Sequence, residues 1–305
     1  MISNDQITAQ LPYCLTGTDF PELGEKYEGK VRDTYKKDGK ITLITTDKLS
    51  AFDKHICLLP FKGQVLNGLT KFWFKKTKDI YPNYITSYPD PNIIVGDDCK
   101  PLMVEMIVRG YITGSAWRAY ESGIRDFCGN KLPEGLQKDQ KFNEPILTPT
   151  TKAEYGEHDE SITPQEIVEK GLLTQEQWDH MAEASLKIFK LGQEITTRQG
   201  VILVDTKYEF GINPAGQIVL IDEVHTPDSS RFWDKDKKSI NKEYVREWLM
   251  GKGFSGDGEV PEIPQDVKME TARRYIEAYE LITGEEFKPV SGDQLSRIKL
   301  NLNLQ

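Results

Sequence analysis

Nowhere in its 305 residues does the chain hold an apolar run near the roughly 20 residues that span a bilayer. Its opening MISNDQITAQ has neither the basic nor the apolar segment of a secretory leader. A cytoplasmic location with no membrane partner is the expectation. Positive charge is also short: 39 Lys and Arg face 48 Asp and Glu, a net −9, which argues against holding nucleic acid by general attraction. Cysteines number four, Cys14, Cys57, Cys99 and Cys128, and no two form a C-x-x-C pair, so neither a zinc knuckle nor a disulfide framework is expected. Histidines are as few, and His158 has no partner at H-x-x-H or H-x-x-x-H spacing, which removes the usual zinc pattern. GEKYEGKV, from Gly24, fails as a phosphate loop because Val31 stands where Ser or Thr is needed and a strand follows. No internal repeat is present.

The length suits two domains of roughly 100 to 200 residues. KVRDTY and ITLITT alternate as strands do around KKDGK, whose Asp-Gly signals a hairpin. Val65, Leu66, Leu69, Phe72 and Trp73 fall at helical spacing before Pro82, and strand-like runs follow at 93–95 and 102–108. PILTPTTKAEYGEHDESIT, from Pro145, is polar and aperiodic, and reads as a long functional connection. Thr174 with Gln177 makes a capping box for a helix that Gly200 ends; its Trp178 and Met181 read as core. A second hairpin, NKEYVREWLM, a Gly-rich loop and a helix over 267–283 complete the chain. The order is α+β, with antiparallel sheets and packed helices in two lobes.

The second hairpin, VDTKYEFGINPAGQIVLIDEVHTPDSSRFW, carries the chemistry. Period-two alternation puts Val204, Thr206, Tyr208 and Phe210 on one face and Asp205, Lys207 and Glu209 on the other. If NPAG turns so that Ile212 pairs with Gln217, Lys207 faces Asp222 and Glu209 faces Leu220. A slip of one residue swaps Asp222 for Glu223 and His225. Two readings stand: a solvated face laced with salt bridges, or carboxylates and an ammonium set for a Mg-nucleotide. His225, Asp228, Ser229, Ser230 and Arg231 follow in a turn-rich segment suited to a phosphate monoester. VRGYITGSAW repeats that theme with Arg109, Thr113 and Ser115, against the plainer reading of Ser115 as a helix cap. Lys30 and Arg32 are either a solvated basic edge or phosphate contacts, and Asp47, Ser50 and Asp53 in TDKLSAFD are either a capped turn or a site. In TPTTKAEYGEHDE, Lys152, His158, Asp159 and Glu160 suit a carboxylate, a metal or an amine.

GKVRDTY, TTDKLSAFD, VRGYITGSAW, TPTTKAEYGEHDE, LVDTKYEFG and IDEVHTPDSSRFW, in this order, resemble the SAICAR synthetase family of purine biosynthesis. The resemblance implies an ATP-dependent ligase: ATP phosphorylates the carboxylate of CAIR, and the amine of L-aspartate attacks the acyl phosphate to give SAICAR, ADP and phosphate. It implies an N-terminal β-rich lobe, residues 1–108, similar to that of protein kinases, and an ATP-grasp-like lobe, 109–305, with ATP in the cleft. By the same resemblance Lys30 and Arg32 lie near the ATP phosphates, and residues 105–108, Glu105 and Ile107 included, offer backbone to adenine. Lys207, Glu209 and Asp222 hold Mg-ATP. Arg109, Ser115, Ser230 and Arg231 bind the ribose phosphate of CAIR, Lys152 and Asp159 sit near its carboxylate and a second metal, and Asp53 contacts CAIR. ATP and Mg²⁺ are the implied small molecules beside CAIR and aspartate, in a monomer or small homo-oligomer. A small-molecule kinase on the same Mg-ATP site is the rival, and a non-catalytic nucleotide-binding module a third reading.

Overall fold

The computed structural model describes residues 2–52, 54–152, 159–240 and 243–304. Helix α1 (Asn4–Gln10) starts at a capping box between Ser3 and Gln6. Strands β1 (Glu25–Glu28), β2 (Arg32–Lys37) and β3 (Lys40–Thr45) follow, and the β2–β3 turn places Asp38 and Gly39 at φ 50° and 72°, the left-handed pair that Asp-Gly favours. A small ribbon, β4 (Lys48–Ala51) with β5 (Lys54–Leu58), leads into α2 (Lys62–Thr77), which buries the expected Val65, Leu66, Leu69, Phe72 and Trp73. After β6 (Ile85–Asp90) and β7 (Ile93–Asp97) the first sheet is complete, antiparallel in the order β1-β2-β3-β7-β6.

The second sheet is built around β8 (Lys100–Tyr111). Helix α3 (Gly114–Glu121), the ribbon β9 (Asp126–Phe127) with β10 (Asn130–Lys131), β11 (Lys141–Leu147), β12 (Thr150–Thr151), α4 (Pro164–Glu169) and α5 (Gln175–Arg198) come next. Then follow β13 (Ile202–Ile212), β14 (Ile218–Ile221), β15 (Ser230–Trp233), α6 (Glu243–Gly251), α7 (Gln265–Thr283) and α8 (Gln294–Asn301). The sheet order is β11-β8-β13-β14, with β12 also on β8 and β15 also on β13, every pairing antiparallel. Helix α5 covers one face of this sheet, burying Trp178, Met181, Ile188 and Phe189 against a core that includes Tyr208 and Phe210. Gly192 is required there, since a Cβ would lie 2.4 Å from the His225 ring.

The architecture is the α+β arrangement read from the sequence. Three expectations change. Part of the expected connection is sheet, because β11 takes up Pro145 to Leu147 and β12 adds Thr150 and Thr151 to β8; His158 lies outside the described residues. The lobe boundary after residue 108 falls inside β8, whose continuous pairing with β13 leaves no break there; the two sheets change over at residues 98 and 99. Helix α8, capped by Asp293, was not expected. Gly251 to Gly256 spells G-x-G-x-x-G, but it follows helix α6 and so lacks the strand-to-helix setting of a dinucleotide loop. Among the described residues the four cysteines are free thiols.

Candidate active site

Strand β13 delivers Asp205, Lys207 and Glu209 to one face, and β8 sets Arg109, Ile107 and Glu105 directly opposite them. A bulge between Leu203 and Asp205 corrects the expected face of Val204: it joins Ile202, Tyr111 and Trp233 on the Asp205 side instead of the core with Tyr208. The charged row is densely paired. Lys207 Nζ lies 2.6 Å from Glu105 Oε1 and 2.5 Å from Glu209 Oε1, Lys152 reaches Glu209 Oε2, and Thr150 Oγ1 donates to Glu105 Oε2 at 3.2 Å.

The β13–β14 register differs by one residue from expectation: Ile212 pairs with Ile218 and Glu209 with Ile221. The loop is three residues, not four, since Asn213 N bonds Gln217 O and Gly216 closes it at φ 79°. Simple alternation would then send Asp222 to the far face. Strand pairing ends at Ile221, however, and Asp222 adopts φ 60°, so Ile221 and Asp222 both line the same cavity. Arg32 bonds Asp222 and lies 2.6 Å from Glu223 Oε2, tying the first sheet to this turn. Burial works against an ionised Asp222, yet Arg32, then Lys207 and Lys152, hold its carboxyl below the ordinary value. Burial pushes Glu223 and Glu105 up, against the pull of Arg32 on the first and Lys207 on the second. Although burial opposes it, Glu209 and Glu105 hold the Lys207 ammonium above its usual range.

These groups line a cavity of about 390 Å³ formed by residues of both sheets: Lys30, Arg32, Lys152, Glu209 and Asp222 together with Ile41, Leu43, Tyr84, Cys99, Pro101 and Ile221. No group of three or more His, Cys, Asp or Glu converges as a metal cage among the described residues. Glu209 and Asp222 nonetheless fit Mg²⁺, which is commonly held by one or two carboxylates plus water and phosphate oxygens. The expected adenine contact at residues 105–108 is corrected. That stretch is bonded to β13 on one edge and to β12 and Leu147 on the other, and the Ile107 carbonyl already accepts from Thr148 N at 2.8 Å. Cys99 and Pro101, earlier in the same region, line the cavity instead.

At the other end of the row, Arg109 and Arg231 share Asp205 Oδ2, at 3.3 and 2.8 Å. Arg109 Nε also donates to Thr148 Oγ1 at 2.8 Å and Nη2 to Ser115 Oγ at 2.9 Å. Burial lowers the Arg109 pKa, with Asp205 opposing the shift. Ser115 is thus not the cap of α3; Thr113 occupies that position without a side-chain bond. Gly114, at φ 57°, lets the Arg231 guanidinium pass, since a Cβ would lie 2.4 Å from Nη1. Ser230 is not brought to the arginines: it pairs with Thr206 while Arg231 pairs with Asp205, so it points to the opposite face, where its hydroxyl meets Thr206 Oγ1 at 2.7 Å. A cavity of about 1000 Å³ on the Arg231 side adds Arg118, Arg246 and Arg274. Sequence reading missed these three because α3, α6 and α7 each show them as ordinary solvated helix charges. Asp159 is exposed and within electrostatic reach of Glu105, and Asp53 lies outside the described residues.

His225 is fully buried one turn beyond Asp222, its Nε2 2.5 Å from the Tyr208 hydroxyl and its ring 4.5 Å from that of Trp73. Nδ1 has no hydrogen-bond partner, and burial pushes the pKa down from 6.5 to about 3. Because the folded state favours the neutral ring, its contribution to stability is complete above pH 6.5 and is lost as the pH falls toward 3. Wild type is therefore expected to lose about 2 kcal/mol more than His225→Gln between pH 7 and pH 5. Denaturant titrations at both pH values check this, and parallel losses in the two proteins would contradict it.

Residues 25–262 match the family described as SAICAR synthetase. A Legionella pneumophila (strain Paris) protein named phosphoribosylaminoimidazole-succinocarboxamide synthase is 46% identical over 293 residues, covering 91% of this chain and 93% of that one. A SAICAR-synthase structure from Saccharomyces cerevisiae, complexed with SAICAR, superposes with TM-score 0.81 at 34% identity over 90% of this chain and 100% of that chain. A SAICAR synthetase (Type-2) structure in complex with ADP gives TM-score 0.68 at 26% identity, over 87% and 100%.

Proposed function

The chain belongs to the SAICAR synthetase family, ligases of purine biosynthesis that condense CAIR with L-aspartate, and on that premise we propose how its own residues divide the work. The cavity between the sheets takes Mg-ATP. Its Ile41, Leu43, Tyr84 and Ile221 suit a purine, while Lys30, Arg32 and Lys152 suit phosphates. Glu209 and Asp222 would hold Mg²⁺, and the ion would supply positive charge against the phosphates during transfer. Lys207 keeps Glu105 and Glu209 in place beside it.

Arg109 and Arg231, with Ser115, take the ribose phosphate of CAIR, and Lys152 and Asp159 lie toward its carboxylate and any second metal. Asp205 and Glu209 are about 13 Å apart along β13, so one strand spans the distance from the sugar phosphate to the reacting carboxylate. That carboxylate attacks the terminal phosphorus of ATP, giving an acyl phosphate and ADP. The aspartate amine then attacks the acyl carbon, and phosphate leaves as the amide forms. Water would cleave the same intermediate, which favours a site closed between two lobes. We read the first sheet as a lobe similar to the protein-kinase N-lobe and the remainder as ATP-grasp-like, meeting at residues 98 and 99. Asp53 stays a proposed CAIR contact. A cytoplasmic monomer or small homo-oligomer completes the proposal; no helix among the described residues is long and apolar enough to cross a membrane.

The observation that carries this reading is one strand, β13, whose Glu209 enters a cavity with Asp222, Arg32 and Lys152 while its Asp205 holds two arginines. Incubation with ATP, Mg²⁺, CAIR and L-aspartate is expected to sustain release of ADP and phosphate over many turnovers only when both CAIR and aspartate are present, and to yield the succinocarboxamide. Transfer of phosphate to a stable product without aspartate selects the small-molecule kinase instead.

A further inference from the structure

Lys62 is fully buried at the first position of α2, a helix with no side-chain cap, no acidic residue in its first turn, and an N-cap residue, Phe61, at φ 64°. A cation at a helix N-terminus opposes the dipole, and a buried ammonium requires a partner, so helix formation does not account for it. Its Nζ lies 2.9 Å from Asp228 Oδ2 and 5.6 Å from the centre of the Tyr275 ring. The Tyr275 hydroxyl, also buried, donates to Asp228 Oδ1 at 2.8 Å. Both oxygens of Asp228 are thus engaged, one from α2 and one from α7.

Asp228 sits in the segment joining β14 to β15, which begins with Asp222 and runs into Arg231. Thr226 binds that segment internally: its hydroxyl donates to Glu223 Oε2 at 2.8 Å and its carbonyl accepts from Ser230 N at 2.9 Å. Lys207 N donates to Ser229 O at 3.1 Å, fastening the segment to β13. A shift at Asp228 therefore reaches the Glu223–Arg32 contact in one direction and the start of β15 in the other. Neither Lys62 nor Tyr275 lines either cavity.

We infer that Lys62 and Tyr275 are positioning residues that act through Asp228, holding the segment so that Asp222 faces the nucleotide cavity while Arg231 faces the phosphate cavity. This rests on the roles proposed for Asp222 and Arg231. Tyr275→Phe removes one hydroxyl and is expected to raise KM for CAIR and for Mg-ATP together, each roughly fivefold, with Tm shifted by only a few degrees. Lys62→Met is expected to lower kcat/KM more than about tenfold, and the double variant Lys62→Met, Asp228→Asn to recover part of that loss because no carboxylate is left without its ammonium. A merely structural role lowers Tm and leaves KM unchanged at temperatures where the variants are folded. Wild-type KM values in Tyr275→Phe overturn the inference even if Lys62→Met fails to fold. Normal kinetics in both Asp222→Asn and Arg231→Met overturn the underlying assignment, a different result from normal Tyr275→Phe beside defective end variants.

Discussion

Asp222→Asn is expected to lower turnover at saturating Mg-ATP by on the order of 10³-fold, about 4 kcal/mol of transition-state stabilisation. The substitution removes an anionic oxygen from a cavity that Glu209 also enters, leaving one carboxylate where two would hold the metal. The fold should survive. Asparagine tolerates the left-handed backbone at φ 60°, and Arg32 keeps its 2.6 Å partner Glu223. Arg32, Lys207 and Lys152 keep Asp222 ionised in the native protein, so the variant changes the charge the site uses near neutral pH. Glu223→Gln is the companion: it bonds Arg32 and Thr226 but does not line the cavity, so its turnover should fall by less than about tenfold. Single-turnover ADP formation with a circular-dichroism melt checks both. Full activity in Asp222→Asn, or a larger loss in Glu223→Gln, would assign the metal to the wrong carboxylate.

Local signals explain why some of this was readable in advance. The Thr174–Gln177 capping box, the Asp38–Gly39 turn and the end of α7 at Thr283 each depend on a few adjacent residues, and each stands where it was expected. Family resemblance identified the chemistry, and Lys30, Arg32, Lys152, Glu209 and Asp222 do share a cavity. What failed were inferences that needed a partner strand. Alternation carried Val204 to the wrong face because one bulge, set by β15, resets the count. Asp222 reached the right side through two departures from the expected hairpin: a register one residue off and a left-handed residue that reversed its effect. Ile107 and Ser230 look available in the sequence, but Thr148 takes the first residue's carbonyl and pairing with Thr206 on β13 turns the second away. Asp47, left open between a cap and a site, is scaffold: its carboxylate accepts from Gly63 N and Leu15 N at 2.9 Å each.

Arg231→Met is expected to raise KM for CAIR on the order of 10²-fold, about 2.7 kcal/mol, while KM for Mg-ATP stays within roughly twofold. The two arginines of the pair differ in how they are held. Arg109 has 7% of its side chain exposed and is fixed by Asp205, Thr148 and Ser115, whereas Arg231 is 40% exposed and lines the larger cavity. Asp205 is shared between them, so two cations meet one anion and the local excess is positive, which suits a phosphate dianion. Removing Arg231 takes away the exposed member and leaves Arg109 neutralised by Asp205, so the site loses both contact and net charge. Arg231→Lys keeps the charge but not the planar fork, and one ammonium must choose between Asp205 and the phosphate, so an intermediate KM is expected. Initial rates with CAIR varied at fixed ATP and aspartate, then ATP varied at saturating CAIR, separate the two effects. An equal rise in both KM values would mean that Arg231 shapes the whole segment from Asp222 onward, and an unchanged CAIR value would move the phosphate to Arg118, Arg246 or Arg274 in the same cavity.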